Sequence, residues 1–166
     1  RKESSAASDV YKRQLSIREY VHQLDWDNIC KIHDSARLIE LEGSVTKKAF
    51  VPLINCYKDE EFFKSTIFIG EVENRTIGFV AFDKHEITWL YVDPKFFGNG
   101  YGRRLLDFVI DKALKPIKVT VLNNNLRAIS LYKSCGFKVM SESKGKIPLT
   151  DFEATGLKME KDDEIV

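Results

Sequence analysis

The feature that most constrains this chain is the segment of residues 86–113, which joins a strand, a glycine-rich loop and a helix. Its first part, residues 86–92, carries β-branched and aromatic side chains, which favour a half-buried strand. The loop that follows has glycine at every second position, at Gly98, Gly100 and Gly102. Such a loop directs free N–H groups and the positive end of a helix dipole toward one point. That point suits a phosphate or pyrophosphate group.

The loop alone leaves its ligand open. A Walker-type phosphate loop ends in Gly-Lys-Ser/Thr, whereas here Gly102 is followed by Arg103 and Arg104. A dinucleotide fingerprint requires a third glycine where Arg103 stands, and an acidic residue about 20 positions further on. A plain tight turn is the third alternative.

A second segment, residues 118–137, has a comparable organisation. Its first residues predict a strand that ends in the polar turn Asn123-Asn124-Asn125. Asn125 is well suited to cap a helix over residues 126–135. Gly136 stands where a glycine commonly terminates a helix.

Together the two segments resemble motifs A and B of the Gcn5-related N-acetyltransferase (GNAT) superfamily. Motif A is a strand, a V-x-P turn and Gln/Arg-x-x-Gly-x-Gly/Ala opening a helix; Val92-Asp93-Pro94 and Gly100-Tyr101-Gly102 match it. Motif B is Asn-x-x-Ala-x-x-Leu-Tyr-x-x-x-Gly-Phe. The residues that match it are Asn125, Ala128, Leu131, Tyr132, Gly136 and Phe137. The resemblance covers residues 67–161.

One position departs from motif A. Where the family has Gln or Arg, this chain has Phe97, whose side chain donates no hydrogen bond. A pyrophosphate would therefore depend on main-chain donors and on the charge of Arg103 or Arg104.

The resemblance implies a mixed α/β sheet of the acetyltransferase fold, in the order β-αα-βββ-α-β-α-ββ. The sheet is expected to splay between the strand ending at Val92 and the strand ending at Leu122. The residue patterns predict strands at 15–20, 66–72, 76–82, 86–92, 117–122, 137–142 and 154–159. They predict helices at 24–41, 103–113 and 126–135, and a second helical region at 45–63, capped by Ser44 and broken or kinked at Pro52.

The resemblance also implies a reaction, in which acetyl-CoA donates its acetyl group to a primary amine of a small molecule, peptide or protein in a ternary complex. The amine attacks only when neutral, and because alkylamines have a pKa of about 10.4, a base must remove a proton. Main-chain N–H groups near the end of the strand at 86–92 would polarise the thioester carbonyl. The implied cofactor-binding residues are Leu90, Tyr91, Val92, Phe97, Gly98, Asn99, Gly100, Tyr101, Gly102, Arg103, Asn125 and Tyr132.

Two residues are expected to act on protons. Tyr132 matches the family's motif tyrosine and would protonate the departing CoA thiolate; the alternative is a packing aromatic. Glu86 matches the position of the glutamate base in histone-type members; the alternative is a solvated residue at a strand end. His85 points to the opposite face of the strand. Another family location for the base holds Thr120 here, which argues against the mechanism of the ribosomal-protein type.

The first helix offers candidate acceptor-binding residues. His33, Arg37 and Glu40 are spaced so that they share one helix face. This face is either a charged solvent-exposed surface or, as in relatives, a wall of the acceptor site. In the second case Arg37 would bind an acceptor carboxylate. Trp89 is expected in the core or in the wall of the cleft, so the predicted substrate-binding residues are His33, Arg37 and Trp89.

The composition limits the remaining possibilities. With 166 residues the chain has room for one domain, expected at residues 15–161 with a short tail at 162–166, and 43% hydrophobic residues indicate a soluble globular protein. A net charge of +1 gives no electrostatic reason to bind nucleic acid or membranes. Three scattered cysteines favour a reducing, cytoplasmic location and no metal site. Monomer and homodimer both remain open.

Residues 1–14 are polar and have no apolar core of a secretion signal. We expect them to be a non-native, disordered leader. Two other function classes stay open, namely a non-catalytic acyl-CoA-binding or sensing domain and a nucleotide- or dinucleotide-binding protein.

Overall fold

The computed structural model of the chain describes residues 14–163. The predicted leader, apart from Gln14, and the end of the predicted tail lie outside these residues. Seven strands form one sheet in the order β1-β2-β3-β4-β5-β7-β6. The strands are β1 (Ser16–Glu19), β2 (Thr66–Val72), β3 (Arg75–Asp83), β4 (Glu86–Val92), β5 (Ile117–Leu122), β6 (Lys138–Lys146) and β7 (Glu153–Lys161). The α-helices are α1 (His22–Ser44), α2 (Leu53–Cys56), α3 (Tyr101–Ile110) and α4 (Leu126–Ser134). The predicted order and the mixed α/β class are confirmed.

The extent of the second helical region was predicted wrongly. Only Leu53–Cys56 is α-helical there, with short 3-10 helices at Lys47–Ala49 and Phe62–Lys64. Pro52 has an extended conformation, with φ −58° and ψ 145°, so the chain enters α2 there instead of continuing a longer helix. The predicted cap is also wrong: Ser44 is the last residue of α1, and its hydroxyl donates to the Glu40 carbonyl oxygen.

The splay of the sheet is confirmed by the pairing of its two parallel strands. β4 and β5 pair only at Glu86 with Lys118 and at Ile87 with Val119. Beyond these pairs the carboxyl-terminal halves of β4 and β5 diverge. A V-shaped opening therefore lies beside the later residues of β4, next to the glycine-rich loop.

A β-bulge at Thr88 decides which side chains face this opening. On β3, Ala81 pairs with Trp89 while the adjacent Phe82 pairs with Ile87, which leaves Thr88 as the extra residue of β4. Ile87 consequently packs with the core under α3 and α4. Trp89 packs with the core under α1 on the opposite face. Without the extra residue, Ile87 and Trp89 would face the same side of the sheet.

Two apolar cores hold the sheet between its helices. On one face Leu105, Leu106 and Val109 of α3 are fully buried, with no exposed surface. On the other face Ile29 of α1 and Phe62 are equally buried against the sheet. Helices α3 and α1 are therefore each fixed by packing against the strands that line the opening.

Gly78 on β3 supplies the first stability prediction. A Cβ at this position would lie 2.7 Å from the Tyr91 carbonyl oxygen and 3.3 Å from the Val92 Cα, both of them backbone atoms. Because backbone of a central strand cannot move aside easily, Gly78→Ala should lower the free energy of unfolding by about 1–3 kcal/mol. Urea unfolding measures the change. Gly145→Ala is the control, since nothing lies within 4 Å of its added Cβ; equal urea midpoints for the two variants would contradict the prediction.

Candidate active site

The opening between β4 and β5 is a cavity of about 590 Å³, which we call the cofactor groove. All the predicted cofactor-binding residues except Asn99 line it, so the structure brings together residues from β4, the glycine-rich loop, α3 and α4. The Asn99 amide instead donates to the carbonyl oxygens of Phe96 and Phe97, at 3.0 and 3.3 Å. Asn99 therefore holds the loop in shape.

The glycine-rich loop needs its glycines for their backbone conformation. Gly98 has φ +80° and Gly100 has φ +77°, in the left-handed region that favours glycine. Gly100 occupies the N-cap position of α3, and no side chain caps the helix there. The first N–H groups of α3 have no partner within the helix and are available to an anion in the groove.

Phe97 makes a contact that no sequence motif predicts. The Arg127 guanidinium carbon lies 3.9 Å from the centre of the Phe97 ring, a cation–π distance. Both residues line the cofactor groove. Arg127 belongs to α4, within motif B. Its positive charge therefore lies against Phe97, the position at which motif A departs from the family pattern.

Helix α4 places Tyr132 at the groove. The Asn125 side chain accepts from the Ala128 N–H at 3.2 Å, which confirms the predicted cap. Gly136 has φ +90°, and the Phe137 N–H returns to the Tyr132 carbonyl oxygen at 3.0 Å, closing the helix as predicted. The position of the Tyr132 ring thus follows from a helix that is fixed at both ends.

The Tyr132 side chain is 4% exposed. Its hydroxyl has no hydrogen-bond partner within residues 14–163, yet every fully buried side-chain oxygen or nitrogen there has one, so the hydroxyl must be open to the groove. Burial raises the pKa of Tyr132 well above the ordinary value for tyrosine, and the nearby charge of Glu40 raises it further. The hydroxyl therefore stays protonated at neutral pH and is available as a proton donor.

A second cavity of about 330 Å³ adjoins the cofactor groove, and we call it the acceptor cavity. All three predicted substrate-binding residues line it. The two cavities share a wall, which consists of Glu40, Thr88, Trp89, Tyr91, Thr120 and Val121. Glu60 and the hairpin residues Lys144 and Lys146 contribute further charges to the acceptor cavity.

The charged face of α1 is turned inward. His33 is 2% exposed, and the side chains of Arg37 and Glu40 are 18% and 15% exposed, so the alternative of a solvent-facing surface is wrong. Arg37 Nη1 pairs with Glu40 Oε2 at 2.9 Å, and the Tyr91 hydroxyl donates to the same oxygen at 3.2 Å. The Arg37 guanidinium is thus already partly occupied by Glu40, which limits its use toward an acceptor carboxylate.

The electrostatics of this cluster follow from its burial. Burial alone would lower the pKa of Arg37, but the electrostatic influence of the neighbouring Tyr91 and Glu40 outweighs burial and raises the pKa. Burial and the Glu40 carboxylate hold the pKa of Tyr91 well above its ordinary value. Arg37 stays charged and Tyr91 stays neutral, so the Glu40 carboxylate keeps both of its hydrogen-bond donors.

His33 is held by contacts on several sides. Its Nδ1 lies 2.8 Å from Asp34 Oδ1, and the same oxygen accepts the Leu53 N–H at 2.9 Å. The imidazole ring meets the rings of Trp89 and Tyr91 edge to face, at 5.6 and 4.9 Å between centroids. The histidine is therefore fixed against the wall that separates the two cavities.

The structure places Glu86 apart from this group. Glu86 is exposed at the start of β4, where β4 and β5 are still paired, and it lines neither cavity. Its role as a base stays a prediction. Thr120 lies in the shared wall. Sequence reasoning missed Arg127, Thr88 and Glu60, since none of them belongs to a motif position.

No helix among residues 14–163 is long and apolar enough to cross a membrane. In the same part of the chain, no group of three or more His, Cys, Asp or Glu side chains is arranged to hold a metal ion.

Comparison with known proteins is consistent with this geometry. Residues 63–139 match the family model described as the acetyltransferase (GNAT) domain. An uncharacterised N-acetyltransferase of Methanocaldococcus jannaschii is 33% identical over 103 residues, 53% of this chain and 44% of that protein. The thialysine N-epsilon-acetyltransferase of Bos taurus is 32% identical over 60 residues, 34% of this chain and 35% of that protein. The chain spans less than half the length of these curated relatives.

Solved structures share the whole fold at low sequence identity. The GCN5-related N-acetyltransferase structure from Rhodopseudomonas palustris superposes with a TM-score of 0.71 and 16% identity, covering 86% of this chain and 93% of that one. YncA from Salmonella typhimurium, determined with its cofactor acetyl-CoA, superposes with a TM-score of 0.64 and 19% identity, covering 92% and 96%. Residues 63–139 thus resemble the acetyltransferase (GNAT) domain, and the described residues share the fold of these solved acetyltransferase structures.

Proposed function

We propose that the protein transfers an acetyl group from acetyl-CoA to a primary amine of a small molecule, peptide or protein, by direct attack in a ternary complex. One observation supports this most strongly: the cofactor groove and the acceptor cavity share the wall that contains Trp89 and Tyr91. A thioester in the groove would meet an amine from the acceptor cavity at this wall. The GNAT domain and the N-acetyltransferase names of relatives agree with this chemistry.

The main chain of β4 would stabilise the transition state. Beyond Ile87, β4 has no pairing with β5, so the N–H groups on this side are available to the thioester carbonyl. Preorganised N–H donors that face a developing oxyanion accelerate acyl transfer substantially. Tyr132, protonated and open to the groove, would then give its proton to the CoA thiolate.

The experiment that tests this proposal measures the rate of CoA release at varied concentrations of acetyl-CoA and of three probe amines: L-lysine, spermidine and a peptide with N-terminal alanine. Release that depends on an amine, with double-reciprocal lines that intersect, supports transfer in a ternary complex. Parallel lines would contradict direct attack, because they indicate an acetyl-enzyme. Binding of acetyl-CoA without acetylation of any amine would favour the sensing-domain alternative.

The cation–π pair of Phe97 and Arg127 leads to a prediction about cofactor affinity. We propose that Arg127 supplies the charge that the missing Gln/Arg side chain of motif A would otherwise provide. Arg127 is exposed, so Arg127→Ala should weaken acetyl-CoA binding by about 1 kcal/mol, close to a fivefold rise in Kd. Titration calorimetry measures this change, with NAD as the comparison ligand.

The matched control for Arg127 is Lys133→Ala. Lys133 is an exposed cation on the same helix but lies outside the cofactor groove. Equal Kd values for the two variants would show that Arg127 contributes no specific contact. Tighter binding of NAD than of acetyl-CoA would favour the dinucleotide-binding alternative.

Location and assembly complete the proposal. The cysteines Cys30, Cys56 and Cys135 are free thiols, which supports the proposed cytoplasmic location. We propose acetyl-CoA and an amine as the ligands, without a nucleic-acid or membrane partner or a metal. Monomer and homodimer both remain compatible with the exposed edge strands β1 and β6.

A further inference from the structure

The acceptor cavity contains a histidine whose orientation is fixed by an acid partner. The Asp34 carboxylate only accepts hydrogen bonds, so the proton between it and His33 belongs to Nδ1 of the imidazole. The Leu53 N–H bonds to the same Asp34 oxygen and thereby fixes the carboxylate. In the neutral ring, this arrangement leaves Nε2 unprotonated, with a free lone pair.

The Nε2 atom is accessible from the cavity. It has no hydrogen-bond partner in the described part of the chain, and each fully buried side-chain nitrogen or oxygen there has one. The small remaining exposure of His33 therefore includes Nε2, and His33 is one of the residues that line the acceptor cavity. Trp89 and Tyr91 pack against the ring and prevent it from turning away.

We propose that His33 is the general base that deprotonates the acceptor amine, with Asp34 as its positioning residue. This inference rests on the proposed acetyl transfer and adds the identity of the base. His33 lines the cavity that the amine would occupy, whereas Glu86 lines neither cavity. An imidazole that is held by a carboxylate through Nδ1 is a well-suited proton acceptor at Nε2.

The steps balance in protons and electrons. The Nε2 lone pair takes one proton from the substrate ammonium, which leaves a neutral amine and an imidazolium. The amine nitrogen forms a bond to the thioester carbon, and the carbon–sulfur bond then breaks with its electron pair going to sulfur. Tyr132 protonates the sulfur. The resulting phenolate then takes up the second proton that the nitrogen loses. The imidazolium finally releases its proton to water.

Titratable and charged groups from several elements surround His33. Those that line the cavity or contact the ring are Asp34, Arg37 and Glu40 of α1, Glu60 before β2, Tyr91 of β4, and Lys144 and Lys146 of β6. Arg37 and Glu40 form an ion pair with each other, so Asp34 is the charge bonded directly to the imidazole. Only the neutral imidazole can act as the base, because the protonated ring has no lone pair to offer.

The kinetic test compares His33→Gln with wild type, using the probe amine that wild type accepts. We expect kcat to drop about 100-fold and the Kd for acetyl-CoA to stay unchanged. Added imidazole should restore part of the activity of His33→Ala. The matched control is His22→Gln, the same change at an exposed position of α1, which should keep wild-type kcat. Retained activity in His33→Gln, or a loss seen only in Glu86→Gln, would overturn the proposal.

A second measurement uses only the wild-type protein and needs no acceptor amine. Nitrogen-15 NMR of the imidazole rings in the wild-type protein reports which ring nitrogen carries the proton, and the three histidines are few enough to assign. A proton on Nδ1 of neutral His33 supports the proposal. A proton on Nε2 would overturn it, whatever the outcome of the acetylation assay. Failure of acetyl transfer with the Nδ1 form present would instead count against the proposed function.

Discussion

Replacing Tyr132 with phenylalanine should lower kcat on the order of 10³-fold, within the range found for general acid–base catalysis. The variant removes one oxygen from a ring that is otherwise packed, with Phe137 edge to face at 5.3 Å between centroids. Because the hydroxyl makes no hydrogen bond within residues 14–163, its loss should leave the fold and the Kd for acetyl-CoA nearly unchanged.

Amine-dependent CoA release measures this effect, and titration calorimetry provides the Kd. Tyr57→Phe is the control, since Tyr57 is a partly buried tyrosine outside both cavities. The raised pKa of Tyr132 means that its hydroxyl stays protonated beyond the range of an ordinary tyrosine. Ionisation of this residue should therefore cause no loss of rate below about pH 10. Full turnover of Tyr132→Phe would refute the role of the hydroxyl as the acid.

The second large effect concerns stability, and it centres on Asp25 at the start of α1. Asp25 is 1% exposed; its two oxygens bind Arg18 at 2.7 and 2.8 Å, and one of them accepts the Val21 N–H at 2.7 Å. Arg18 also pairs with Glu71 of β2, so the cluster ties β1, β2 and α1 together. Asp25→Ala should lower the free energy of unfolding by about 3 kcal/mol, the lower end for breaking a buried pair, because Arg18 is one-third exposed and keeps Glu71.

Urea unfolding of Asp25→Ala measures this loss. Glu61→Ala is the control, because its ion pair with Lys64 is exposed on both sides and should contribute less than about 1 kcal/mol. An Asp25 variant as stable as the Glu61 variant would contradict the expectation.

The contribution of Asp25 should also depend on pH. Burial alone would raise the pKa of Asp25, but the hydrogen bonds from Arg18 and the Val21 N–H outweigh it and leave the pKa below the ordinary value. A carboxyl whose pKa is lowered by folding stabilises the fold above its unfolded pKa of about 3.9. This stabilisation is lost as the pH falls from there toward the lowered pKa. The difference in stability between wild type and Asp25→Ala should therefore shrink in acid.

The sequence predicted most of the sheet because its strands carry strong local patterns. The bounds of β4 and β5 were predicted at residues 86–92 and 117–122, as observed. The break predicted at Pro52 in the region 45–63 is observed, because that residue is extended, but the helical extent was overestimated since the apolar residues there occur at a helical spacing. Glu61 adds a left-handed conformation, with φ +52°, that no residue pattern indicated.

The site was predictable where it follows motifs and less so elsewhere. The motif residues of the loop and of α4 do line one groove. Spacing showed that His33, Arg37 and Glu40 share a face, but not that this face packs against β4, since that depends on how α1 crosses the sheet. The contact between Phe97 and Arg127 joins residues 30 positions apart and depends on the splay of the sheet.

The most direct test of the account follows the acetyl group itself. The protein is incubated with isotopically labelled acetyl-CoA and the three probe amines, and mass spectrometry locates the label. The account predicts that the label appears as an amide on one of the amines, that unlabelled CoA is released in equal amount, and that no label stays on the protein. Label found only in free acetate, or covalently bound to the protein, would contradict direct acetyl transfer to an amine.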